Sequence, residues 1–194
     1  MSKPDTRRAS GVQRRILDAA REVFRQHGEA SASMDDIATA AGIARPNIYR
    51  YFANRKALVL EVLVAEIEAS NAERRRALPI IGPVRELLVE SLVMGAERVR
   101  ANKLLTATLK DGLDVAAQVV SGDRRILDVE FEYWAPLLAH GRARREITPH
   151  LSDERIVRWF MTFHFLAASR PELVDDDVRS WIADFIVPPV LAQG

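Results

Sequence analysis

Apolar residues recur at intervals of three and four along almost the whole of this chain, and that periodicity constrains the fold more than any other feature. Between Val12 and Gln26, Ile16, Leu17, Ala20, Val23 and Phe24 share one stripe of a helical surface, while Arg14, Asp18, Arg21 and Arg25 occupy another. The alternation at two that marks a half-buried strand is nearly absent, so the spacing predicts an all-α protein. With 194 residues, 48% hydrophobic and 28% charged, the chain can build one sizeable core, or a small domain joined to a medium one.

Glycines, prolines and capping residues divide this pattern into about nine helices. Gly28 stops the first. Ser33 precedes "MDDIATAA" with Asp36 three residues on, a capping-box-like start with acids at the positive helix end. Gly42 suits a left-handed turn, and a third helix starts within about three residues, near Ala44, with Pro46 in its first turn, where a missing N–H costs nothing. Asn54 is a good N-cap for a long helix running to residue 78, and "PIIGP" at 79–83 marks the clearest break. Helical segments follow over Val84 to Arg100, Leu104 to Val120, and from Ser121 or Asp123 to Gly141, the last expected to kink at Pro136. Ser152 opens another, Asp175 to Asp177 open the last, and Pro188 and Pro189 stop it. The expected domains are 1–56 and 57–194, with helix 54–78 connecting them.

Charge separates the two parts. Residues 1–56 hold eleven Lys or Arg against six Asp or Glu, a net of +5; the remainder holds seventeen against twenty-one, a net of −4, and the two give the overall +1. A basic first module on a mildly acidic body points to a polyanionic partner for the first module. Two short helices across a tight Gly-containing turn, followed by a longer one, have helix-turn-helix spacing. Arg45, Pro46 and Tyr49 fall on one outward face of the second, with Asn47 and Tyr51 beside it, while Ile48 and Phe52, four apart, face inward. Arginine can grip guanine bidentately, asparagine can read adenine, and a proline ring can touch a thymine methyl. Tyrosine hydroxyls and Arg55 suit phosphate oxygens. Arg50 is also chemically able to touch DNA. The tail bearing Lys3, Arg7 and Arg8 suits either tracking of a minor groove or simple solubilisation.

The stretch "SMDDIATAAGIARPNIYRYFANRKAL", preceded by "RRILDAAREVF", resembles the DNA-binding domain of the tetracycline-repressor (TetR) family of bacterial transcriptional regulators. The resemblance implies that Ile43 to Tyr51 is a recognition helix for the major groove. Base contacts are then expected from Arg45, Pro46 and Asn47, and backbone contacts from Ser33, Tyr49, Tyr51 and Arg55. At Ala44, where the family often has Ser or Thr, a side-chain cap and a phosphate contact are expected to be missing. The resemblance also implies a C-terminal ligand-binding and dimerisation domain. A dimer suits two recognition helices that must meet major grooves roughly 34 Å apart. Trp159, Phe163, Trp181, Ile182 and Phe185 are the expected dimer contacts. Met94, Leu105, Thr108, Phe131, Trp134, Phe160 and His164 are candidate walls of an inducer pocket, with plain core packing the competing reading for each.

Several function classes lose support. The chain has no cysteine, which removes disulfides and thiolate chemistry. His27, His140, His150 and His164 show no metal-ligand spacing. No Ser-His-Asp constellation or Gly-rich phosphate loop points to an enzyme, and no cofactor is expected. The N-terminal residues lack a signal-peptide core and no apolar run reaches the roughly 18 residues of a membrane span, so a cytoplasmic protein is expected. The expected function is a ligand-responsive regulator, most readily a repressor, that binds a near-palindromic double-stranded DNA operator as a homodimer and is released by a small-molecule inducer. Two alternatives are a DNA-binding architectural protein of the same fold without an inducer, and a helical enzyme or carrier with a vestigial helix-turn-helix. Absence of any enclosed cavity and of ligand hits would favour the first, and failure to bind DNA the second.

Overall fold

The first helix, α1 (Lys3–His27), begins nine residues before the apolar stripe does. Pro4 falls in its opening turn, where proline is tolerated, and Gly11 does not interrupt it. The basic tail is therefore helical in backbone from Lys3. Gly28, at φ +79°, ends α1 with its N–H bonded to the Phe24 carbonyl at 2.9 Å. The computed structural model describes residues 3–28, 31–102, 124–170 and 177–192, with residues 3–10 described by backbone alone. Two compact units divide the chain, Met1–Ala65 and Glu66–Gly194.

In the first unit α1 packs on α2 (Met34–Ala40), and α2 on α3 (Arg45–Ile48). Ile16, Ala20 and Phe24 of α1, Ile37 and Ala38 of α2, Ile48 of α3, and Phe52 just beyond it form the buried apolar set. Leu58, Val59 and Val62, on the first turns of α4 (Arg55–Ala77), are buried as well. Asn54 caps α4, its Oδ1 accepting the Ala57 N–H at 2.8 Å. Helix α4 carries residues of both units.

The second unit contains α5 (Val84–Ala101), α6 (Arg124–Ala143) and α7 (Asp153–Ser169), packed pairwise. Leu88, Leu92, Trp134, Leu138, Ile156 and Phe160 fill its core. Pro136 stands inside α6 without ending it. Arg142 fixes the turn into α7, donating to the carbonyls of Thr148 and Leu151 at 2.5 Å each and to Asp153 Oδ1 at 2.7 Å. The last expected helix is one α-helical turn, α8 (Val178–Trp181), followed by a π-helical turn (Ile182–Ile186) closed by the Val187 N–H to Ile182 carbonyl bond at 3.0 Å. The chain then pairs Leu191 with Ile147 in an isolated antiparallel bridge, the only extended pairing among the described residues. No described helix is long and apolar enough to cross a membrane. The expected helix over Leu104 to Val120 lies outside the described residues.

Candidate nucleic-acid interface and the buried polar cluster

Ser33 opens α2 with a full capping box. Its Oγ accepts the Asp36 N–H at 3.2 Å, and Asp36 Oδ2 accepts the Ser33 N–H at 3.0 Å and hydroxyl at 2.6 Å. These bonds from Ser33 hold the Asp36 carboxyl below its ordinary pKa. The Ser33 hydroxyl proton, expected at a phosphate, is thus directed to Asp36. At the other end, Gly42 adopts φ +66°, and the Ile43 N–H reaches back to the Ala38 carbonyl at 3.0 Å. A residue with a Cβ resists that left-handed backbone, so Gly42 sets the angle at which α3 leaves α2.

Helix α3 starts from Ala44, which gives no side-chain cap, and has Pro46 in its first turn, both as expected. It is shorter than expected. Regular α-helix ends at Ile48, and the chain to Tyr51 continues through i to i+3 bonds, from the Arg50 N–H to Asn47 at 3.2 Å and from the Tyr51 N–H to Ile48 at 3.0 Å. The tighter winding still separates the side chains. Ile48 and Phe52 are buried, Arg45, Pro46, Asn47, Tyr49 and Arg50 are exposed, and Tyr51 is half-buried. Arg45 Nε lies 2.7 Å from Asp35 Oδ1, yet that oxygen receives no hydrogen bond, so the contact is electrostatic without an aimed N–H. Arg55 has a structural task that its sequence position did not reveal: its Nε donates to the Ala32 carbonyl at 3.1 Å, tying the start of α4 to the approach to α2.

The candidate pocket residues that the structure describes differ in burial. Trp134 and Phe160 are fully buried and pack on each other, ring centroids 4.6 Å apart. Phe131 is on the exposed side of α6, Met94 is partly buried, and Leu105 and Thr108 lie outside the described residues. The His164 Nε2 lies 3.3 Å from the Leu92 carbonyl. The candidate interface residues also divide. Phe163 and Ile182 are buried within the chain's own second unit, and Phe163 stacks on Trp181 at 5.6 Å. Trp159 and Phe185 are exposed, the latter by 62%, with Trp159 Nε1 donating to the Ile186 carbonyl at 2.9 Å.

A polar cluster that the sequence did not suggest lies inside the second unit. Arg74 is 2% exposed. Its Nη1 donates to Asn71 Oδ1 at 2.9 Å, and its Nη2 to the Ser91 carbonyl at 2.9 Å and Ser91 Oγ at 3.1 Å. Its guanidinium carbon lies 4.0 Å from the Tyr133 ring centroid. Ser91 Oγ and the Tyr133 hydroxyl share a 2.6 Å bond, while Glu130 accepts from Asn71 Nδ2 at 3.4 Å and from Trp134 Nε1 at 3.0 Å. Burial lowers the pKa of Arg74, with Tyr133 and Glu130 acting in the opposite direction.

Gly95 lets this cluster close. A Cβ there would stand 2.4 Å from His164 Nε2 and 3.2 Å from the Arg74 guanidinium carbon. Gly95→Ala should cost about 1–3 kcal/mol through this overpacking, read as a lower midpoint in urea unfolding. His164 also makes stability depend on pH. Burial, then the Arg74 charge, push its pKa down to about 3 from the ordinary 6.5. The folded ring stays neutral where the unfolded ring takes a proton. Its contribution is therefore complete above pH 6.5 and is lost as pH falls toward 3, by up to about 1.4 kcal/mol per pH unit. Urea titrations between pH 7 and 5 should show this slope, and His164→Gln should flatten it.

The α2–turn–α3 geometry, with an apolar inner face and an exposed polar outer one, is that of a helix-turn-helix module joined to a helical body. The family model for bacterial regulatory proteins of the tetR family matches residues 16–62. The chain is 30% identical over 177 residues to the uncharacterized HTH-type transcriptional regulator MT1294 of Mycobacterium tuberculosis, covering 91% of this chain and 84% of that one. It is 28% identical over 148 residues to the regulator UidR of Escherichia coli, covering 74% and 73%. The chain belongs to the TetR family, transcriptional regulators with a helix-turn-helix DNA-binding domain. Solved structures share the fold at lower identity. RolR in complex with resorcinol matches with a TM-score of 0.73 at 18% identity, over 95% of this chain and 90% of that one. FadR from Bacillus subtilis in complex with stearoyl-CoA matches with a TM-score of 0.62 at 17% identity, over 91% and 98%.

Proposed function

We propose that this chain is a repressor that binds a near-palindromic DNA operator as a homodimer and releases it when a small molecule binds the second unit. The observation that carries the reading is the polarity of α3. Buried Ile48 and Phe52 anchor it from within, leaving Arg45, Pro46 and Asn47 exposed along its opening turn. Those three are assigned to base edges in the major groove, Tyr49, Tyr51 and Arg55 to the phosphate backbone, and Ser33 to a phosphate for which its hydroxyl exchanges Asp36. Exposed Trp159 and Phe185, with half-buried Trp181, are the apolar surface assigned to a second copy. The division 1–56 for DNA and 57–194 for ligand and dimer contacts belongs to the same proposal.

Release needs a ligand that prefers one dimer conformation, with coupling along α4, which carries residues of both units. A coupling of about 1–3 kcal/mol weakens operator binding 5- to 150-fold. That the fold neighbours include RolR with resorcinol and FadR with stearoyl-CoA supports a small-molecule ligand here.

The test is a gel shift at fixed salt on duplexes from the intergenic region beside the gene, with wild type and Arg55→Ala. A phosphate-contacting Arg55 predicts weaker binding of all duplexes alike and a salt slope reduced by about 0.9. Because Arg55 Nε also holds the Ala32 carbonyl, a lower melting temperature should accompany it. A change confined to one sequence would contradict the assignment, and failure of the wild type to bind any duplex would remove the reading.

A further inference from the structure

We propose that Arg74 is the anion-recognising point of a ligand site in the second unit, and that its ligand is an organic carboxylate with an apolar body. This rests on the reading of the chain as a ligand-responsive regulator and deepens it by naming the ligand's chemistry.

Arg74 lies in the run Glu73-Arg74-Arg75-Arg76, whose other members are exposed, and it alone of the four is buried. A buried cation is costly unless an opposite charge or a full set of hydrogen bonds compensates it. Arg74 has neither. Its hydrogen bonds go to the Asn71 amide and the carbonyl and hydroxyl of Ser91, and its face lies on the Tyr133 ring; all are neutral. Its Nε–H is buried without an acceptor among the described residues. Glu130 is the nearby acid and its charge favours the cation, yet its two oxygens are bonded to Asn71 Nδ2 and Trp134 Nε1 and not to the guanidinium.

The remaining chemistry fits the same ligand. Guanidinium donors suit a carboxylate because charge-assisted bonds are short and strong. Around the charge the surfaces are aromatic. Tyr133 is 4.0 Å and Trp134 5.3 Å from the guanidinium carbon, and Trp134 packs on Phe160 within the core of the unit. These suit an apolar body behind the acid. The neutral ring of His164, on the Gly95 side, adds no competing charge.

Isothermal titration of the full chain with benzoate and octanoate, each against its neutral amide, tests the proposal. The acid of at least one pair should bind about tenfold or more tightly than its amide, and Arg74→Met should abolish that difference. Which acid wins tells an aromatic from an aliphatic body. Equal affinity of acid and amide, no binding of either acid, or a preference that survives Arg74→Met would overturn the site. If Arg74→Met does not fold, the wild-type comparison decides alone. A gel shift separates this from the parent reading. An Arg74-dependent carboxylate that binds without releasing DNA upholds the site and removes the ligand-responsive reading. Release of DNA by a neutral aromatic, with acids binding no better than amides, keeps that reading and removes the site.

Discussion

Phe52→Ala is expected to destabilise the first unit by about 3–5 kcal/mol and to remove DNA binding with it. Phe52 is 2% exposed, and its N–H bonds to the Ile48 carbonyl at 3.0 Å, so ring and backbone together fix where α3 ends. Total stabilities of small domains are about 5–15 kcal/mol, so this loss takes a large share of what is available. All three tryptophans, Trp134, Trp159 and Trp181, belong to the second unit, and their fluorescence does not report the change. Hydrogen exchange over residues 12–62 does. Protection there should fall sharply in Phe52→Ala while the tryptophan transition persists; unchanged protection would mean that Phe52 is not an anchor.

Arg45→Ala is expected to weaken operator binding by about 1–3 kcal/mol, and to relax base preference at one position of each half-site while leaving salt-dependent nonspecific binding in place. The Arg45–Asp35 contact does not prevent this. Both side chains are largely exposed, and an exposed ion pair contributes about 1 kcal/mol or less, below the value of a bidentate base contact. Arg45 can therefore exchange Asp35 for a guanine edge with a net gain. Competition binding of wild type and Arg45→Ala against duplexes varied one base pair at a time would show the relaxed position.

The contrast between Arg45 and Arg74 shows what was legible in the sequence. The α2–turn–α3 unit could be read because local chemistry determines it. Ser33 and Asp36 make their box at a helix start, Gly42 supplies a left-handed turn, and Pro46 fits an opening helical turn but not a helix interior. The length of α3 could not be read, since its last turn winds by i to i+3 bonds and the same residues also fit an α-helix to Tyr51. Arg74 was hidden for a different reason. In "ERRRA" it looks like one more solvated charge, and only the packing of α5 and α6 residues around α4 shows that it points inward.

The same limit divided the C-terminal apolar residues. Helical spacing put Phe163, Ile182, Trp159 and Phe185 among apolar positions, but spacing does not say whether a neighbour in the same chain covers them. Phe163 and Ile182 are covered and Trp159 and Phe185 are not. The π-helical turn at Ile182–Ile186 carries no signal in residue type, and it sets which side chains of that last segment turn outward.

The most direct test of the central claim, that the exposed opening of α3 reads base edges, is selection of binding sites from a random duplex library with the full chain. Two inverted half-sites are expected, centred about 10 base pairs, or a multiple of a helical turn, apart, with one position in each losing its preference when Arg45 is replaced by alanine. A library that stays unenriched, or a consensus that Arg45→Ala selects unchanged, would contradict it.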